Sequence, residues 1–286
     1  YDIIHLHTSS WRGFLIEQTA MKMGIRRVIV HSHSAGIDIA DEGERERQME
    51  EHEKYKSQFS MKYATDVWAC SSLAAEWLFG KNIPRKKIQI LPDAIDINKY
   101  RFNPVKRQEI RAALNLENRI VIGNVGRYTY QKNQEFLIKA FAQAHAKTPS
   151  LFLLCLGEGE LLEYLKCLAN KFGIENNTLF MEWQENVEDY LQGMDLFCFP
   201  SRFEGLSISV IEAQAAGVKC LISDSIPEEV KITDLVKVLP LIEAEWVKEL
   251  AGCRIDVDRH RQDENIAKAG YDIQRAAKRL ENFYRI

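Results

Sequence analysis

With 286 residues, 46% of them hydrophobic and 28% charged, the chain has the apolar content for a buried core and the length for two α/β domains, which excludes a disordered protein. A formal net charge of -3 supplies no basic field, so nucleic acid is not the expected partner. The six cysteines (Cys70, Cys155, Cys167, Cys198, Cys220, Cys253) form no Cys-x-x-Cys pair and no Cys/His cluster of zinc type, and several lie in apolar runs that suit a reducing cytoplasm.

Short β-rich runs alternate with helical patterns, the signature of a parallel sheet wound with helices on both faces. The first unit is a strand over Ile3 to His7, a helix over Trp11 to Met23 closed by Gly24, and a strand over Arg27 to Ser32. Strands follow at Asp66 to Cys70 and Ile88 to Leu91, and the charged run Asp41 to Glu53 between them reads as a solvated helix face. From Pro92 to Glu117 the pattern weakens to a turn and a short helix opened by Asn103-Pro104, which reads as a linker. A second series comprises strands at Arg119 to Val125, Ser150 to Leu156, Thr178 to Met181, Asp195 to Phe199 and Lys219 to Ile222, with helices over Gln131 to Ala146, Glu160 to Phe172 and Ser207 to Ala216. A helical tail, Glu264 to Tyr284, has no strand after it and is expected to pack across existing elements. The expected division is 1–95, an incomplete first domain; 96–118, a linker; 119–255, a complete second domain; and 256–286, the helical tail. No apolar run approaches the ~20 residues that span a bilayer, and there is no signal-peptide pattern, so the expectation is a protein neither spanning nor exported.

The most informative string is Pro200-Ser201-Arg202-Phe203-Glu204-Gly205-Leu206-Ser207, continuing through Ile208-Ser209-Val210-Ile211-Glu212-Ala213. It follows an apolar strand, so Glu204 and Gly205 fall in the turn at the strand's carboxyl end, where open α/β sheets bind ligands. Ser207 opens a helix whose first N–H groups favour an anion such as diphosphate, and Glu212 could accept from two neighbouring ribose hydroxyls. Gly126-Arg127-Tyr128-Thr129-Tyr130-Gln131-Lys132-Asn133 likewise joins a strand to a helix, with a planar fork at Arg127 and a point charge at Lys132 for phosphate oxygens. The turn Gly157-Glu158-Gly159-Glu160 lacks a third glycine because Leu162 occupies its place, which argues against NAD.

These strings resemble the donor site of retaining glycosyltransferases of the GT-B fold, in particular family 4, whose fold is two Rossmann-like doubly wound parallel-sheet domains. The resemblance implies that Arg127 and Lys132 hold the donor diphosphate, that Glu204 with the Gly205, Leu206 and Ser207 backbone meets the sugar and phosphate, and that Glu212 takes the ribose. It puts Glu182 and Trp183 in the stretch that meets the nucleobase, where the family usually has glycine in place of Glu182. His33, in His31-Ser32-His33-Ser34, matches a histidine that approaches the donor sugar, so Glu204, Arg127, Lys132 and His33 are the expected catalytic residues; His31 looks structural, and His7 faces the cleft. Neither histidine pair has a sequence neighbour that compels a metal, and neither metal nor cofactor is expected. Asp256-Val257-Asp258 mimics a cation-binding Asp-x-Asp but reads as a helix cap.

The histidine string and Ser223-Asp224-Ser225-Ile226-Pro227-Glu228-Glu229-Val230 most resemble the exopolysaccharide and capsule branch. Implied partners are a nucleotide-sugar donor, UDP-linked in the preferred reading, and a glycan or lipid-linked acceptor, with peripheral membrane contact. Family members normally carry a further α/β unit before the strand at Asp2 to His7, so a shortened first domain and self-association through it are expected. The alternatives left open are a non-catalytic nucleotide-sugar-binding module, a nucleotide-sugar epimerase and a pyridoxal-dependent phosphorylase.

Overall fold

The computed structural model describes residues 1–256 and 259–285. The first four strands, β1 (Ile3–Thr8), β2 (Arg27–Ser32), β3 (Asp66–Ala69) and β4 (Ile88–Ile90), form a parallel sheet in the order β1-β2-β3-β4. The remaining six are β5 (Ile120–Val125), β6 (Leu151–Leu156), β7 (Thr178–Met181), β8 (Leu196–Phe199), β9 (Lys219–Ser223) and β10 (Val236–Leu239). They form a second parallel sheet in the order β10-β9-β8-β5-β6-β7. The chain moves outward from β5 to β7, then returns to lay β8 on the other side of β5, so the strand order reverses between β5 and β8. At such a switch point the loops leaving the two strands diverge and open a crevice at their carboxyl ends.

All nine expected strands are present, within one or two residues of the expected ends. The sequence reading missed β10, which has four residues, pairs only with β9 and exposes Lys237. It also missed the helices Ser72–Phe79, Val187–Gly193 and Glu243–Gly252. Helix starts lie where short polar side chains cap them: Asp41 accepts from the Glu44 N–H, and Asn103 accepts from Val105 and Lys106 ahead of Pro104. The single helical tail is instead two helices, Asp263–Lys268 and Ile273–Tyr284, the second capped by Asp272. Of the Asp-x-Asp string, Val257 and Asp258 lie outside the described residues, while Asp256 pairs with Lys219 at 3.3 Å and its N–H donates to Asp195.

The final helix covers one face of the first sheet, where Leu280, Phe283 and Tyr284 pack against Ile3, Ile29, Trp68 and Leu91. The segment from 91 to 103 joins the sheets and meets the tail: Ile95 bridges Asp272, and its N–H donates to the Tyr271 carbonyl at 2.9 Å. Among the described residues no helix is long and apolar enough to cross a membrane.

Candidate functional site

The turns after β5 and β8 are laced together by side chains that satisfy one another's backbone. Asn133, at φ 56°, donates from its amide to the Pro200 carbonyl at 3.0 Å, and Gln131 donates to the Phe203 carbonyl at 3.0 Å. The Arg202 N–H in turn donates to the Gln131 carbonyl at 2.8 Å. These bonds fix both turns as one rigid ledge, and on it Lys132 Nζ lies 2.7 Å from Glu204 Oε1 and 4.9 Å from the Phe199 ring centre. Glu204 is 3% exposed; burial pushes its carboxyl up, against the opposing pull of Lys132.

Arg127 is the exposed cation of the ledge, with a side chain 62% accessible, and its Nη2 lies 3.1 Å from Asp38 Oδ2. The other Asp38 oxygen accepts the Gln131 N–H at 2.8 Å, so an acid from the loop after β2 grips the turn after β5. The two halves also touch at Gly205, where a Cβ would stand 2.1 Å from the His33 carbonyl oxygen; only glycine allows that approach.

Ser207 is the residue before the helix Ile208–Ala215 and is 1% exposed, with its hydroxyl unpartnered among the described residues. One turn into that helix, Glu212 accepts a 2.6 Å hydrogen bond from the Tyr100 hydroxyl, and burial pushes the Glu212 carboxyl up. Burial and the neighbouring carboxylate raise the Tyr100 hydroxyl as well, so it stays protonated as the donor.

On the far side of β5, a cavity of about 250 Å³ is lined by Gly126, Arg127, Gly157, Glu158, Trp183 and Gln184. Gly157, at φ 154°, makes this wall possible, since a Cβ there would fall 2.1 Å from the Gly126 carbonyl. Trp183 is 62% exposed at the rim, and Glu182 precedes it in the same exposed loop. A larger cavity, about 710 Å³, lies by Asp195, Lys219 and Asp234 at the amino ends of β8, β9 and β10, the opposite end of the strands from this ledge. Size does not make it the site, because the polar groups suited to a diphosphate converge at the other end.

Four histidines cluster on the face of the first sheet that carries the final helix. The ring centres of His5 and His7 are 4.4 Å apart, those of His31 and His33 are 4.1 Å apart, and those of His7 and His33 are 4.9 Å apart. Burial, reinforced by the neighbouring imidazoles, lowers His5 to about 4 and His31 to about 3. His33 Nδ1 lies 3.4 Å from Asp93 Oδ2, and its Nε2 lies 2.8 Å from His7 Nδ1. A carboxylate beside Nδ1 favours a proton there, which leaves Nε2 to accept from His7. Partial burial would raise the Asp93 carboxyl, but the hydrogen bond from His33 holds it below its usual range.

The structure therefore brings Arg127, Lys132, Glu204, Gly205, Leu206, Ser207 and Glu212 to adjoining turns and one helix, with His33 opposite them across Gly205. Glu182 and Trp183 lie beyond β5, beside the smaller cavity. Asp38, Tyr100, Gln131 and Asp93 were not singled out from sequence. Asp38 and Asp93 sit in loops with no pattern of their own, and Tyr100 reaches Glu212 across 112 positions.

Comparison with known proteins gives the family and the fold. Residues 106–237 match the family described as glycosyl transferases group 1. EpsF of Bacillus subtilis (strain 168), named as a glycosyltransferase, is 30% identical over 293 residues, covering all of this chain and 75% of EpsF. The UDP-Gal:alpha-D-GlcNAc-diphosphoundecaprenol alpha-1,3-galactosyltransferase of Escherichia coli is 25% identical over 229 residues, covering 78% of this chain and 58% of its own length. The crystal structure of Anabaena HepE in complex with UDP and glucose superposes with a TM-score of 0.79 at 18% identity, over all of this chain and 78% of HepE. That likeness is one of fold, and the fold is GT-B: two parallel-sheet, Rossmann-like halves facing each other across a cleft. With EpsF matched along the whole chain and the family pattern covering the ledge residues, the chain belongs to the group 1 glycosyltransferases.

Proposed function

We propose that this glycosyltransferase moves a hexose-type sugar from a nucleoside diphosphate, UDP in the preferred reading, to a glycan or lipid-linked acceptor. The anomeric configuration is retained, and the reaction belongs to exopolysaccharide or capsule synthesis. The observation that carries the reading is the convergence of Arg127, Lys132 and the start of the helix Ile208–Ala215 at the switch point between β5 and β8. The E. coli relative, by its name, uses UDP-galactose and a diphosphoundecaprenol-linked acceptor, and HepE was crystallised with UDP and glucose; both support a UDP-sugar donor.

In this reading the diphosphate rests on Arg127, Lys132 and the free N–H groups following Ser207, with no cation required. As the sugar–oxygen bond breaks, the electron pair leaves with the diphosphate, and fixed positive groups already face the oxygens where that charge grows. Lys132 then shares its charge between Glu204 and the leaving group. Glu204 and the backbone of Gly205 to Ser207 hold sugar hydroxyls and phosphate, and His33 approaches the sugar from the first sheet. Glu212 accepts from the ribose, and the base enters the cavity beside Glu182 and Trp183. The acceptor hydroxyl attacks from the face the diphosphate leaves, and a leaving phosphate oxygen takes its proton.

The deciding experiment titrates UDP, GDP and ADP by calorimetry in the presence of a chelator, then supplies the corresponding sugar nucleotides and reads the product's anomeric configuration by NMR. Chelator-resistant UDP binding and a retained anomer are expected. Binding that appears only with magnesium or manganese, or an inverted product, would overturn the reading.

A further inference from the structure

We propose that His5, His7 and His31 form a binding site for a late first-row divalent transition metal, with zinc as the reference ion. The site uses no residue of the second sheet, so it stands or falls independently of the sugar-transfer reading. β1 carries His5 and His7, β2 carries His31 with His33 just past its end, and the strand register pairs His7 with His31, which sets the two pairs side by side. One ring nitrogen from each of the three residues can be chosen so that all lie within 4.8 Å of one another.

The spacing of His5 and His31 fits metal ligation, and His7 lies close enough to complete the set by a small turn of its exposed ring. His5 Nε2 and His31 Nδ1 are 3.3 Å apart. Two imidazole nitrogens bound to one tetrahedral zinc at ~2.0–2.1 Å stand about 3.3–3.4 Å from each other. The outer partners are also present. With His5 Nδ1–H donating to the Tyr284 hydroxyl, Nε2 keeps its lone pair for the metal, the arrangement by which a hydrogen bond at one nitrogen orients the other. His7 Nδ1–H donates to His33, which Asp93 backs in turn, so the remaining nitrogen of His7 is unprotonated.

His31 is 3% exposed, and its Nε2 has no hydrogen-bond partner among the described residues, so only the contact with His5 decides which nitrogen this ring presents. Its Nδ1, 3.3 Å from His5 Nε2, is the nitrogen turned toward the site. His7 is exposed and gives solvent a path to the site, leaving room for water as a further ligand. An all-imidazole set suits zinc, copper or nickel over magnesium or calcium, which prefer oxygen.

The test titrates zinc chloride into the chelator-stripped chain by calorimetry and records the absorption of the cobalt(II)-loaded form. One saturable zinc per chain is expected, with tetrahedral cobalt bands that lack a thiolate charge-transfer band. The His7→Asn variant changes an exposed side chain and should keep the metal-free melting temperature while weakening zinc by at least about tenfold. His5→Gln should do likewise. The proposal is overturned by an absence of saturable zinc binding, by a thiolate band that assigns the ion to cysteine, or by zinc affinity unchanged in both variants.

Discussion

The ledge on the second sheet and the histidine face of the first are built in opposite ways. On the ledge, each turn is a contiguous string: Gly126 to Asn133 after β5, and Pro200 to Ser207 after β8. Seven candidate groups thus come from two loops and the helix that follows the second. On the histidine face, no string suffices. His7 and His31 become neighbours only because β1 and β2 pair in that register, and Tyr284 arrives from the far end of the chain to meet His5. A turn can therefore advertise its chemistry in sequence, whereas a sheet face acquires it from pairing. The halves differ in charge as well: the ledge carries the cations that suit an anion, while the opposing loop contributes a carboxylate at Asp38.

If catalysis needs the ledge closed against the first half, the most damaging small change is at their closest approach. Gly205→Ala puts a Cβ 2.1 Å from the His33 carbonyl oxygen, a backbone atom with no rotamer to yield. Overpacking of this kind costs ~1–3 kcal/mol, so kcat/KM is expected to fall by up to about 100-fold while the melting transition of the second half persists. Turnover within twofold of the parent would show that the cleft works while open at this point.

Arg127→Ala tests the ledge by itself. A hydrogen bond to a charged group contributes ~1.5–3 kcal/mol, and Arg127 is partly solvated, so UDP affinity should weaken by about 10- to 30-fold while uridine affinity stays unchanged. Equal losses for UDP and uridine would mean that Arg127 supports the loop rather than the diphosphate. Glu212→Gln should cost about tenfold in UDP affinity. Tyr100→Phe, which releases the same carboxylate from its 2.6 Å partner, separates ribose binding from a structural tie. Loss of affinity is expected in the first variant only; unchanged calorimetric affinity in Glu212→Gln would remove ribose from its role.

The strand positions and both ledge turns were legible in sequence because their signals are local. Short apolar runs rich in valine, isoleucine, leucine and phenylalanine mark most of the strands, and glycine with nearby polar residues marks the turns. The edge strand Val236–Leu239 escaped because four residues with one face in water give too short a pattern. The break between the two C-terminal helices was hidden by helical periodicity on both sides of it. The contacts of Asp38, Tyr100 and Asp93 were illegible for a deeper reason. Asp38 and Asp93 sit in irregular backbone and Tyr100 ends the short helix Ile97–Tyr100; their partners, Arg127, His33 and Glu212, lie across the molecule, and sequence spacing carries no record of that.

The smallest expected effect concerns Asp38, the one acid from the first half that touches the cations of the ledge. Its Oδ2 stands 3.1 Å from Arg127, and its Oδ1 accepts the Gln131 N–H. A diphosphate arriving at Arg127 meets this carboxylate as a competitor of the same sign, so removing the charge should strengthen nucleotide binding. Asp38→Asn keeps an oxygen for the Gln131 N–H and an amide of the same shape, which isolates the charge from the scaffold. Exposed ion pairs are worth only ~0–1 kcal/mol, so UDP affinity is expected to rise by no more than about threefold at low salt. The gain should shrink as ionic strength rises and the Debye length falls below the distance over which the carboxylate is felt. A fall in affinity, insensitive to salt, would reverse the assignment: Asp38 would then be the group that aims Arg127 at the phosphate, and the first half would contribute to donor binding as well as closing over it.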